Sequence, residues 1–182
     1  MKTNLIVAAI CSCCLPFLAC SSTKVNNYPV PEVELAKYLG HWYEIARYDH
    51  WFERKMTNTT ADYDMTCEGT IQVTNMGWKN GKRKVSIGKA VLTGTPGLLR
   101  VSFFGPFFSD YRILMLTPDY NTAVVGSGSA EYLWILSRAP YLMPETKEQV
   151  LRELDRRGYD DSKLNWVDQA ENEHNFLHEP YK

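Results

Sequence analysis

From His41 to Ser137 apolar and polar residues alternate in short runs, punctuated about every ten residues by clusters of glycine, proline, asparagine and aspartate. Period-two runs put successive side chains on opposite faces of a strand, and this regular punctuation fits an all-β barrel or sandwich. The pattern predicts strands over 42–50, 58–65, 70–77, 83–93, 98–104, 110–117, 121–126 and 131–138. The turns between them carry Cys67-Glu-Gly69, Lys79-Asn-Gly81, Gly94-Thr-Pro-Gly97, Gly105-Pro106, Pro118-Asp119 and Gly126-Ser-Gly128. Asn80-Gly81 is the strongest hairpin signal of the set. Hairpin links leave no room for crossover helices, so an antiparallel up-and-down meander follows. Eight strands is also the number whose closed barrel holds one small ligand.

Helical signals flank this region. Leu35, Tyr38 and Leu39 suit one helical turn before Gly40. Pro144 fits a first helical position, Glu145 the positive end, and Arg156-Arg157-Gly158 the negative end and its cap, predicting a helix over 144–157. Val150, Leu151 and Leu154 give it one narrow apolar stripe. Tyr132–Leu136 is apolar at every position, as expected of a strand buried on both sides, so the helix is expected to pack outside that strand. Leu164–Val167 reads as a short final strand, and 171–182 as a loose tail.

The first residues belong to targeting. Lys2 opens the chain, Leu5–Cys11 and Leu15–Ala19 are apolar, and no acidic residue precedes Glu32. Phe17-Leu-Ala-Cys20 resembles a bacterial lipobox. That resemblance implies a leader over 1–19, acylation of Cys20 and a tether over 20–32, leaving a domain over 33–170. Ser21 in place of Asp then favours the outer membrane, with the domain facing the periplasm. The plainer alternatives are an ordinary cleaved signal or an uncleaved anchor. A spanning helix is disfavoured, because Pro16 interrupts an apolar run short of the roughly 20 residues a bilayer needs. A formal charge of −1 gives no basic excess for nucleic acid. Of five cysteines only Cys67 is left once Cys11, Cys13 and Cys14 depart and Cys20 is acylated, so no internal disulfide is expected.

Gly40-His-Trp-Tyr-Glu44, Thr117-Pro-Asp-Tyr120 and Arg138 after Leu136-Ser137 occur in that order along the chain. With Ser102–Phe107 and Tyr132–Arg138 they resemble the lipocalins, specifically the bacterial outer-membrane lipoprotein lipocalins, which are similar to apolipoprotein D. The resemblance covers roughly 33–170 and implies an eight-stranded barrel with one C-terminal helix outside it. It also implies closure of one end by Gly40, Trp42, Asp119 and Arg138. A planar guanidinium laid over an indole supplies such a seal.

In a meander, alternate hairpins lie at opposite ends. Trp42 then shares an end with Arg138 and with the 66–69, 94–97 and 117–121 turns. The other end collects Trp51, Phe52, Trp78, Phe107 and Phe108, either as a small satellite core or as an apolar rim that admits an acyl chain and touches the membrane. Leu99, Val101 and Phe103 alternate against Arg100 and Ser102 and should face inward, joined by Trp134 and by the phenols of Tyr63 and Tyr111. An acyl chain of about 16 carbons gains on the order of 12 kcal/mol on leaving water. A bilayer supplies the same gain, so a pocket for one chain competes best for single-chain lipids. Fatty acids and lysophospholipids are the expected partners. Lys79, Lys82, Arg83 and Lys84 would meet anionic head groups or form a solvated hairpin end.

No cofactor, metal or catalysis is expected. Gly88-Lys89 lacks the glycine spacing of a phosphate loop, His174-x-x-x-His178 lacks the glutamate of a zinc protease, and Glu44 with Asp62 or Asp64 reads as solvent-face charge. The alternatives are a lipid-acting enzyme using Cys67 and an envelope protein-interaction module. Monomer and homodimer both remain open.

Overall fold

Nine antiparallel strands form one sheet, and pairing of the first with both the second and the eighth closes eight of them into a barrel. The computed structural model describes residues 25–178. The barrel strands are β1 (Gly40–Tyr48), β2 (Thr57–Met65), β3 (Ile71–Lys79), β4 (Lys82–Leu92), β5 (Leu98–Phe104), β6 (Phe107–Leu116), β7 (Thr122–Gly126) and β8 (Leu133–Ser137). A short α1 (Leu35–Tyr38) precedes them, and α2 (Pro144–Arg157), β9 (Leu164–Trp166) and α3 (Ala170–His178) follow. The β3–β4 turn has φ of +53° at Asn80 and +70° at Gly81, the paired left-handed geometry that matches strand twist.

Alternation along β1 breaks once. Its register against β8 shifts between Glu44 and Ala46, so Ile45 and Ala46 both join the outer cluster beneath α2. This bulge returns Arg47 to the barrel interior, on the same side as Trp42 and Glu44. Helix α2 begins on Pro144 and ends on Gly158, whose φ of +80° lets its N–H reach the carbonyls of Leu154 and Asp155. Its buried Val150 and Leu154 pack on Leu133, Ile135, Leu114 and Val124. The inner faces of β7 and β8 are buried as well, which explains the unbroken apolar run of β8.

Three expectations change. Residues 171–182 are not all loose tail: Ala170–His178 is a helix, its first N–H groups at Glu171 and Asn172 bonded to Asn58 Oδ1 (3.1 and 3.3 Å). Phe176 meets Tyr43 and Tyr141 edge-on, so the single outer helix gains a second partner, one without a buried residue of its own. Residues 25–30, expected to belong to a flexible tether over 20–32, are instead hydrogen-bonded along the barrel wall. Strand β3 runs on to Lys79 and β6 starts at Phe107, which puts Trp78, Phe107 and Phe108 on strands rather than loops. The leader over 1–19, Cys20 and residues 179–182 lie outside the described residues.

Candidate ligand-binding site

One end of the barrel is sealed by a single side chain. The Arg138 guanidinium lies 3.7 Å from the Trp42 ring centroid. It donates to the carbonyls of His41 (2.5 Å), Lys37 (2.8 Å), Leu39 (2.9 Å), Tyr38 (3.0 Å) and Tyr120 (3.4 Å). Those carbonyls include the orphan acceptors at the end of α1, where a cation belongs. Trp42 is fully buried and donates its indole N–H to Tyr38 O (2.8 Å). Gly40 sits at φ +93°, with the position of a Cβ 3.6 Å from Arg138 Nη1, so a side chain there would strain the backbone beside the seal. Asp119 closes the barrel only indirectly. It accepts hydrogen bonds from Asn121, Thr117 and Asn121 hold its carboxyl below the usual range, and Asn121 O receives the Arg138 N–H (2.9 Å).

Above this floor the sequence-predicted lining comes together. Tyr63 and Leu99 belong to the inner apolar cluster, and Val101, Phe103, Tyr111 and Trp134 pack against it. Tyr38, Tyr111 and Tyr63 form a hydroxyl chain, with oxygens 2.5 Å apart for the first pair and 2.8 Å for the second. Burial pushes the Tyr63 and Tyr111 hydroxyls well up, so they stay neutral donors and acceptors at any physiological pH. Gly88 makes room for this lining: a Cβ there would come 2.7 Å from the Phe103 ring and from Ser102 O.

The upper interior holds charges that the sequence placed elsewhere. Glu44, expected on a solvent face with Asp62 or Asp64, is buried inside the barrel and accepts from Arg47 Nη1 (2.5 Å). Arg47 Nη2 donates to Glu53 O (2.7 Å) and Met56 O (3.1 Å), which draws the β1–β2 loop inward. Glu53 Oε2 accepts the Trp134 indole N–H (3.1 Å). Two buried carboxyls thus face one guanidinium. Burial, then repulsion from Glu53, raises the Glu44 carboxyl; burial also raises Glu53, opposed by the Trp134 indole and by Arg47. Arg47 Nε and the Thr59 hydroxyl are buried with no hydrogen-bond partner among the described residues. Sequence alternation missed this trio because the bulge, not the period, sets the facing of Arg47. Arg47 lies three residues from Glu44, an interval that points to opposite faces in an unbulged strand.

At the open end Trp51, Phe104 and Phe107 are 80, 80 and 78% exposed, and Phe52 is 43% exposed. Trp78 and Phe108 are half-buried, so of the five predicted rim aromatics three are strongly presented, and Phe104 joins them. Its signal was present in the Phe103-Phe104 pair, where alternation sends one ring in and leaves the other outside. Cys67 is exposed on the turn at the sealed end, away from this interior. Among the described residues no three His, Cys, Asp or Glu side chains are grouped to hold a metal.

A closed eight-stranded barrel with one sealed end, an apolar interior and exposed aromatic rings at the other end has the architecture of the small up-and-down barrels. The chain belongs to the lipocalin family: the family model described as Lipocalin-like domain matches residues 33–169. It is 42% identical over 163 residues to the outer membrane lipoprotein Blc of Escherichia coli K12, covering 84% of this chain and 89% of that one. Mouse apolipoprotein D is 34% identical over 159 residues, covering 81% and 83%. Among solved structures, insecticyanin from the tobacco hornworm Manduca sexta superposes with a TM-score of 0.66 at 25% identity, covering 78% and 83%.

Proposed function

We propose that this lipocalin is anchored through acylated Cys20 in the outer membrane, facing the periplasm, and binds single-chain lipids in its calyx for membrane maintenance. Fatty acids and lysophospholipids are the ligand classes. The observation that carries the reading is the inner wall of Leu99, Val101, Phe103, Tyr63, Tyr111 and Trp134 above a floor closed by Trp42 and Arg138. An acyl chain lowered into that wall leaves water for a surface of matching polarity, and the sealed floor keeps water from entering behind it. Higher up, Arg47 Nε and the Thr59 hydroxyl are buried donors able to meet an ester or carboxyl oxygen. The names of the outer membrane lipoprotein relatives support the location, and the family supports binding rather than catalysis.

The test is displacement of a fluorescent fatty acid by palmitate and by lysophosphatidylethanolamine. Wild-type protein should bind stoichiometrically. Val101→Trp, which fills the calyx from the wall, should lose binding while keeping its circular dichroism spectrum. Equal binding by the filled variant would place the ligand elsewhere and overturn the reading.

A further inference from the structure

The segment ahead of α1 is not a free tether. Val30 N–H bonds Ile113 O on β6 (2.8 Å), and Asn27 Nδ2 reaches the carbonyls of Ser127 (3.2 Å) and Gly128 (3.0 Å) in the β7–β8 turn. Arg112, held by Asp110, donates to the backbone and side-chain oxygens of Asn27 (3.2 and 3.0 Å). Arg157, held by Glu153, donates to Asn26 O (3.1 Å) and Tyr28 O (2.9 Å), while Asn26 N–H returns a bond to Arg157 O (2.8 Å). Two arginines, each fixed by its own carboxylate, therefore clamp the strap to the wall. It climbs from the sealed end to the β7–β8 turn at the open end, and Val25 lies beside Gly158 at the end of α2.

Cys20 stands five residues before Val25. Five residues reach at most about 18 Å, so an acyl anchor at Cys20 lies within that distance of Val25. The open end presents Trp51, Phe52, Phe104 and Phe107, together with the β3–β4 hairpin, where Lys79, Lys82, Arg83 and Lys84 occur with no acidic residue among 79–84. Exposed aromatic rings beside cations suit a membrane interface, where rings enter the headgroup layer and cations meet anionic lipids.

We infer that the domain docks mouth-down on the leaflet that holds its anchor, its orientation set by the clamped strap. The four rim aromatics enter the headgroup layer and the hairpin cations lie on anionic head groups. The calyx then opens onto lipid and not onto the aqueous compartment. The inference rests on the Cys20 anchor of the proposed function, but not on what the calyx carries.

The experiment uses the full chain, produced in a bacterial host and reconstituted into vesicles of phosphatidylethanolamine and phosphatidylglycerol. In a Cys67→Ser background an environment-sensitive fluorophore is placed by Phe107→Cys at the rim or by Glu68→Cys at the sealed end. A lipid-borne nitroxide should quench the rim label several-fold more than the sealed-end label. Lys82→Gln, Arg83→Gln and Lys84→Gln together should reduce that contrast. Equal quenching at both positions, or protein that does not co-float with the vesicles, overturns the proposal. Lipid extracted from the same preparation separates the two ideas: cargo with an unquenched rim defeats docking alone, and a quenched rim without cargo defeats carriage alone.

Discussion

At its sealed end the barrel directs one arginine onto an indole and five backbone carbonyls, whereas at its open end a buried arginine holds a loop between two carboxyls and the rings around it face solvent. Both ends use a guanidinium, but for different purposes. Arg138 satisfies carbonyls that would otherwise be orphaned near apolar surface, and its partners are neutral. Arg47 is flanked by two buried carboxyls deep in the interior, so its neighbourhood is costly to desolvate and sensitive to protonation. The sealed end is therefore a stability device. The open end carries its polarity and its exposed rings at the cost of some stability, as binding sites commonly do.

Substitutions at the two ends should separate these roles. The largest effect is expected from Trp42→Ala, which empties a fully buried site beneath Arg138 and should cost about 3–5 kcal/mol in denaturant unfolding. Arg47→Met removes the one cation from between Glu44 and Glu53, and should cost about 3 kcal/mol. Glu44→Gln in the same background should return part of that loss, because the stranded carboxyl is gone. A double-mutant cycle in urea measures both.

Acid dependence gives the next effect. The Glu44 carboxyl is pushed up to about 8 in the fold, against its ordinary value of 4.5. Between those values the folded chain holds a proton that the unfolded chain releases, so stability falls as pH rises through this window and is greatest below it. Thermal melts between pH 5 and pH 8 should show that slope, and Glu44→Gln should flatten it. The smallest stability effect is expected at the rim. Trp51→Ser with Phe107→Ser should change unfolding by about 0.5 kcal/mol or less, since both rings are already exposed, while reducing lipid uptake from vesicles.

Local signals were legible in the chain. The Asn80-Gly81 turn, the Pro144 start and the Gly158 cap of α2 act within a few residues, and each appears where its chemistry predicted. Alternation also brought Leu99, Val101 and Phe103 to one cluster with Tyr63, Tyr111 and Trp134. What stayed hidden depends on distant partners. The strap at 25–30 looks like polar linker until Arg112 and Arg157 supply its hydrogen bonds, the former from 85 positions away. The α3 segment buries no side chain, and its start is fixed by Asn58 and by Gln169, which bonds Glu44 O and Thr59 O. The Glu44–Arg47 pair required knowing that β1 bulges, and the bulge shows only in its register against the distant β8.

The central claim is that the calyx holds a single-chain lipid. Its most direct test is to purify the full-length protein from bacterial membranes, exchange away bulk phospholipid, extract it with solvent and identify what remains by mass spectrometry. The account predicts a fatty acid or lysophospholipid near one per chain, lost in Val101→Trp. A barrel that yields no lipid and also refuses added palmitate and lysophospholipid would contradict it.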